Sequence, residues 1–500
     1  MKRIYLLTIL ALLITAIHSC AKDDEWTQDD LPSATDKTAE DAFAMADMLY
    51  RIGAPAFFGE RSSDGLPAMV GGYLSGFFVR ESGSETRLFE SAQRLDFNNS
   101  GMLEFANNIW SQAYRAIEKS NTLIASVAGI QELTNEQRNQ LVAEARFFRA
   151  FNYFHLARWF GGLPVVTEGS LTDNVQRSEL VEVYQLIVSD LEKAIPQLPN
   201  EVFSRNGFRI SRPVAQTLLA DVYLTMSGYP LRQNHYRQAT AVARQIINSG
   251  NHTLAMNGVT PDASAFNKLR TQVDNAEHIF SFEASRSLSS LSLSRNAASW
   301  GVINVSTVNA YMPTQAFLNI YDPYKDLRIR EQQFFHSFVR YEKSGRTVIQ
   351  TFSRKPFWWF DRDALFGTGS SGSRVAIYRF AEVLLIAAEA IAMSEGVTSE
   401  AAGFLTDVRA RAWTNISREE IYGKLRALDR EQFVQEVWAE RLREFPFEMK
   451  IWTDIQRTRQ FPVVDSNNRG VVTFRHVIGV QNAVNVPFEE GHLLLPVVRR

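Results

Sequence analysis

The chain has 500 residues, a formal charge of −2, 45% apolar and 22% charged side chains, which is the composition of a folded and nearly neutral protein. Such a balance excludes nucleic-acid binding driven by a basic face, and the length predicts two or three domains' worth of core. Cys20 is the single cysteine, so no disulfide forms within the chain.

Residues 1–19 read as a secretory signal, with Lys2 and Arg3 ahead of an apolar run from Ile4 to Ile17 and then Ser19. Ile17-His18-Ser19-Cys20 resembles a bacterial lipobox, which predicts cleavage before Cys20 and lipidation of its thiol. Loss of Lys2 and Arg3 with the signal then takes the charge from −2 to −4. The acidic run Lys22-Asp23-Asp24-Glu25 follows, and residues 20–37 are expected to be a flexible, lipid-anchored tether. No other stretch reaches the apolar length that a membrane-spanning helix needs.

A first helix is predicted over 38–52, and the glycine- and proline-broken stretch 53–100 is expected to be irregular. Apolar residues at helical spacing predict helices over 99–127 and 134–160, paired with one another. In the second of these, Leu141, Ala145, Phe148, Phe151, Phe154, Leu156 and Trp159 repeat at helical spacing while Phe147, Ala150, Ala157 and Phe160 fill other sides. A helix apolar almost all round is buried on several faces, and Gly161-Gly162 with Pro164 stop it. Further helices are predicted over 181–199, 211–227 and 235–248. Ala220, Tyr223, Gly228, Ala239 and Ala243 give the last two the spacing of a tetratricopeptide-type pair. Another pair is predicted at 378–396 and 399–413, a helix over 431–455, and turns and short extended pieces over 461–500. Each pair leaves an apolar face that only a neighbouring pair can cover, so a stack with one continuous core is expected. The long stretch 251–375 interrupts the pairs with Ser, Asn, Thr and aromatic residues, and 285–310 reads as loop or short strand. An insertion of that kind is where function is expected.

AEARFFRAFNYFHLARWFGGLPVV resembles the signature helix of the SusD/RagB family, surface nutrient-capturing lipoproteins of Bacteroidetes-type bacteria. The likeness continues in Pro313-Thr314-Gln315-Ala316-Phe317, in Tyr378-Arg379-Phe380-Ala381-Glu382-Val383-Leu384-Leu385, in Val408-Arg409-Ala410-Arg411-Ala412 and in Leu493-Leu494-Leu495-Pro496. It departs at Pro446-Phe447-Glu448-Met449-Lys450, where the helix geometry is the point in doubt. The resemblance implies a mainly α, SusD-like fold of degenerate tetratricopeptide-type pairs. Its N-terminal region would span 38–250, and its C-terminal region 251–500 with the loop-rich insertion 251–375.

Little in the sequence points to catalysis. The eight histidines are scattered without an HExxH, and no G-x-S-x-G occurs, so neither a metal site nor a nucleophile elbow is expected. Gly367-Thr368-Gly369-Ser370-Ser371-Gly372 fits a dinucleotide fingerprint by letter but does not follow a strand of a βαβ unit, and a loop is the better reading. No cofactor is expected. Aromatic rings carry the chemistry instead, because sugar rings present C–H faces that stack on Trp and Tyr while polar side chains take the hydroxyls. Trp300, near Asn296 and Asn304, is the leading candidate, followed by Tyr311, by Trp358 and Trp359 beside Arg354, Lys355 and Asp361, and by Asp64 and Tyr73 in the N-terminal loops. Core packing is the competing reading of each ring. The family likeness implies a lipoprotein on the outer face of the outer membrane. It would bind oligosaccharide and hand it to a SusC-type TonB-dependent transporter, with no reaction catalysed. Peptide cargo, as in the RagB branch, and a surface glycoside hydrolase are the alternatives.

Overall fold

The computed structural model describes residues 38–54, 67–80, 87–169, 171–172, 176–272, 274–283, 311–358, 360 and 374–497. Helix caps set its frame. Thr38 opens α1 (Ala39–Leu49) with a capping box, its hydroxyl accepting from the Asp41 N–H. The supposedly irregular zone that follows contains two helices, α2 (Pro67–Leu74) and α3 (Arg87–Gln93), with β1 (Phe78–Val79) between them. Gly71 and Gly72 were expected to break the chain here. They serve close packing instead: a Cβ on Gly72 would lie 2.1 Å from the Tyr311 hydroxyl oxygen.

Helix α4 (Ser100–Ser126) is capped by Asn99, and α5 (Asn135–Phe160) by a capping box between Thr134 and Gln137. The two pack as a pair, and α6 (Leu180–Ala194) covers a further side of α5. Phe147, Phe148, Phe151 and Phe154 are all fully buried, as the all-round apolar pattern requires. Gly161 ends α5 at φ +76°, the left-handed region that glycine tolerates. Two charges on this helix are buried and paired: Glu144 with Arg209 at 2.8 Å, and Arg149 with both carboxylate oxygens of Asp190 at 2.7 Å.

The pair α7 (Arg212–Ser227) and α8 (Tyr236–Asn248) follows, then the insertion. The insertion holds more regular structure than its composition suggests: α9 (Ala265–Thr271), β2 (His278–Glu283), β3 (Met312–Pro313), α10 (Gln315–Leu318), β4 (Phe335–Lys343) and β5 (Arg346–Pro356). After β6 (Arg374–Arg379) come α11 (Phe380–Glu395) and α12 (Ser399–Ala412), the expected third pair. Helix α13 (Arg418–Arg426) was not anticipated. The helix expected over 431–455 is two, α14 (Arg430–Glu444) and α15 (Lys450–Thr458). Pro446 lacks the N–H a continuous helix would use, and Met449 turns the chain at φ +61°. The departure seen in the sequence at 446–450 is therefore a break between helices. A hairpin of β7 (Gln460–Val464) and β8 (Val472–His476) precedes the C-terminal turns.

The fold is mainly helical with tetratricopeptide-like pairs. Helix α8 packs on α11, so the stack and its single large core run across residue 250. The described strands form four separate antiparallel pairs: β1–β3, β2–β6, β4–β5 and β7–β8.

Candidate functional site

Two of those strand pairs are where the chain leaves the described body toward the segments richest in candidate residues. Phe78 pairs with Pro313 and Val79 with Met312, which sets Arg80 beside the start of the 311–358 stretch. Glu283 pairs with Arg374. A line of rings runs from the first root toward the far end of the β2–β6 pair, where Arg379 lies opposite His278. The Tyr311 ring stacks on Phe78 at 4.1 Å, Phe78 meets Phe447 at 6.0 Å, Phe447 meets Phe334 at 5.8 Å, and Phe334 meets Trp358 at 5.3 Å. The Arg379 guanidinium at the end of β6 lies 5.6 Å from the Trp358 ring.

This geometry sorts the candidates. Cys20, Asp64, Trp300 and Trp359 lie outside the described residues, as do Asn296, Asn304 and Asp361. Tyr73 and Tyr311, expected to offer rings to a ligand, are 0% and 1% exposed and belong to the core. Their hydroxyl and backbone bond each other, the Tyr311 N–H donating to the Tyr73 oxygen at 2.8 Å, and their rings meet edge to face at 5.3 Å. They build the floor of the β1–β3 root and cannot stack on cargo. Trp358 alone among the described candidate rings is half-buried, with its ring packed on Phe334 and its rim open. Beside it Phe357 is buried, stacked on Phe360 at 5.3 Å and covered by the Arg270 guanidinium at 4.2 Å. Arg354 donates to the Ile329 carbonyl at 3.1 Å, and Lys355 is buried.

Behind the roots stands a buried network of charge that sequence reasoning missed. Five arginines (Arg328, Arg379, Arg409, Arg411, Arg443) are linked through six carboxylates (Glu277, Asp326, Glu436, Glu440, Glu444, Glu448). Arg379 is the member nearest Trp358, and it pairs with Glu277 at 2.6 Å, Glu444 at 2.9 Å and Glu448 at 2.7 Å. Arg411 bonds Glu277 and, at 2.5 Å, Glu444. Removing these ions from water costs several kcal/mol each, about what good mutual pairing returns, so the arrangement specifies geometry more than it adds stability.

The surplus acid is visible in its titration. Burial pushes the Glu448 carboxyl up to about 7, against the pull of Arg379 and with the help of Glu444 and Glu382. Burial also raises Glu277, but Arg411 and Arg379 outweigh it and hold that carboxyl below the usual range. For Glu440 burial is likewise outweighed, by Arg328, Arg409 and Arg443, and its carboxyl stays far below the usual range. The network therefore locks β6, α12 and α14 together and fixes Arg379 under Trp358. No signal in the sequence distinguished these residues from a solvated face, since α14 reads as alternating Arg and Glu.

Among the described residues no three His, Cys, Asp or Glu side chains are placed to hold a metal ion. The arrangement is an aromatic and guanidinium cluster beside the ends of the described stretches.

The fold is a stack of helix pairs with short strand pairs set into it, and comparison with known proteins gives the family. The family profile described as "Starch-binding associating with outer membrane" matches residues 67–224, and the SusD family profile matches residues 341–475. SusD-like protein P2 of Formosa agariphila is 25% identical over 477 residues, covering 91% of this chain and 90% of that one. A SusD-like protein of Bacteroides ovatus is 29% identical over 142 residues, 27% of this chain and 26% of that one. Among solved structures, a SusD superfamily protein of Parabacteroides distasonis superimposes with a TM-score of 0.78 at 23% identity, covering 91% of this chain and 95% of that one. Surface glycan-binding protein A of Bacteroides uniformis does so with 0.67 at 17% identity, covering 92% and 96%. The chain belongs to the SusD/RagB family.

Proposed function

We propose that the protein is a surface glycan-binding lipoprotein. It holds an oligosaccharide on the face that carries Trp358 and passes it to a SusC-type TonB-dependent transporter, making and breaking no bond. The match of residues 67–224 to a profile described as starch-binding and outer-membrane-associated carries this reading. The likeness in fold to a surface glycan-binding protein supports it. Lipidation of Cys20 would supply the membrane attachment, and no described helix is long and apolar enough to cross a membrane. Trp358 is the half-buried ring among the described candidates, and Trp300, Trp359 and Asp64 are proposed to complete the site.

Affinity electrophoresis in soluble starch and other neutral glycans, followed by sizing of the polymer and titration against a peptide panel, tests the proposal. Retarded migration with unchanged polymer length is expected, and Trp358→Ala should weaken it by about tenfold, as loss of one stacked ring does. Shortened polymer would make the protein a hydrolase, and peptide binding without glycan binding would make it a peptide carrier.

A further inference from the structure

The sequence holds two Asn-Gly pairs, Asn206-Gly207 and Asn257-Gly258. In such a pair the glycine nitrogen can reach the asparagine side-chain carbon with no Cβ in the way. Whether it does so depends on what holds the two groups, and the fold holds them differently.

Asn257 and Gly258 are both exposed, and exposure alone would make theirs the reactive pair. The Asn257 amide is locked at both ends: Nδ2 donates to the Arg411 carbonyl at 2.7 Å, and Oδ1 accepts from the Ala265 N–H at 2.9 Å. The attacking group is engaged as well, since the Gly258 N–H donates to the Ala263 carbonyl at 2.7 Å. A Cβ on Gly258 would lie 2.7 Å from that of Ala263, so the backbone there has no room to turn.

Asn206 is half-buried in the turn that precedes α7, and Gly207 is exposed. Among the described residues the Gly207 N–H donates to no group, and Oδ1 of Asn206 accepts from none. Nothing lies within 4 Å of where a Cβ on Gly207 would sit. The Asn206 amide is held only by its nitrogen, which donates to the Arg209 carbonyl at 3.1 Å and the Ile210 carbonyl at 3.4 Å. Phe208 in the same turn sits at φ +59°, a left-handed conformation that costs a bulky residue energy and that a rearranged backbone relieves.

We infer that Asn206 is a self-modification site, converting to aspartate and isoaspartate in the folded protein, while Asn257 is protected. The Gly207 nitrogen forms a bond to Asn206 Cγ, the Cγ–Nδ2 bond breaks, and Nδ2 leaves as ammonia with the proton of the Gly207 N–H. Water then opens the cyclic imide. Addition at Cγ gives aspartate, and addition at the backbone carbonyl gives isoaspartate, whose chain runs through Cγ. Either product loses the two hydrogen bonds from Nδ2 and gains a negative charge. The Arg374 guanidinium covers the Phe208 ring at 4.1 Å, so the change falls at the end of the β2–β6 pair where Glu283 meets Arg374.

The test holds the purified protein at mildly alkaline pH, where the attacking amide is more readily deprotonated, and then digests it. Mass spectrometry follows the peptides spanning Asn206 and Asn257, and enzymatic carboxyl methylation of each peptide scores isoaspartate. Asn206 is expected to convert at least about tenfold faster than Asn257, which must first open locally. In urea the two rates should converge to within about threefold, because only the shared Asn-Gly chemistry remains. Equal conversion in the folded protein, faster conversion at Asn257, or an Asn206 inert when folded yet reactive in urea would overturn the inference. So would a tenfold gap that persists in urea, since the fold would then not be its cause.

Discussion

Helices α5 and α14 both run into the core past an exposed first turn, and they fill it with different chemistry. Around α5 the interior is ring on ring: Phe147 stacks with Phe151 at 5.8 Å, and Phe151 meets Phe280 at 5.7 Å. Along α14 the buried side chains include Glu440, Arg441, Arg443 and Glu444, none more than 2% exposed. The first solution is non-directional and depends on filled volume. The second is directional, because each carboxylate and guanidinium is tolerable inside only while its named partners stay in place. The apolar helix can therefore be altered by degrees, whereas the ionic one fails at once when a partner is lost. The network ends at Arg379, which lies against Trp358, the half-buried ring among the described candidates.

Substitutions at three positions would break or sharpen that contrast. Arg379→Ala strands Glu277, Glu444 and Glu448 without their shared cation, and a loss of about 5 kcal/mol or failure to fold is expected by urea unfolding. Arg379→Lys should restore little, because one ammonium cannot serve three carboxylates in a fixed fork. Phe151→Ala should cost about 3–4 kcal/mol through the cavity it opens, and Phe151→Leu should recover most of that. Equal rescue at both positions would erase the distinction between the helices.

The smallest effect is expected at Glu448. Its folded-state carboxyl titrates at about 7 against an ordinary 4.5, so between those values the folded protein keeps a proton that the unfolded chain has released. Stability therefore declines as pH rises through that window and levels off above it. Glu448→Gln keeps a neutral acceptor for Arg379 and removes this component. The gap between urea midpoints at about pH 5 and pH 7.5 should narrow in the variant. An unchanged gap would show that Glu448 is not the surplus acid of the network.

Much of the scaffold was legible in the chain. The spacing of rings in 134–160, Thr134 ahead of Gln137 and the Gly161-Gly162 stop describe α5 to within a residue or so. The three helix pairs stood out for the same reason, since helical periodicity is a local property. Reading failed where a residue's role depends on distant partners. Tyr73 and Tyr311 are as stackable in composition as any exposed ring, and only their contact across 238 positions buries them both. The glycines of α2 read as breaks in the sequence because nothing local reveals the Tyr311 hydroxyl pressed against Gly72.

The sequence by itself determined which stretches are helices, which faces seek one another, and the family to which the chain is similar, because these follow from short-range spacing and motif. The tertiary structure alone decided which polar residues go inside and that Arg379 is clamped beneath Trp358. The physical reason is that a charge is tolerable in a protein interior only by virtue of what folds against it, and spacing along a chain carries no record of that.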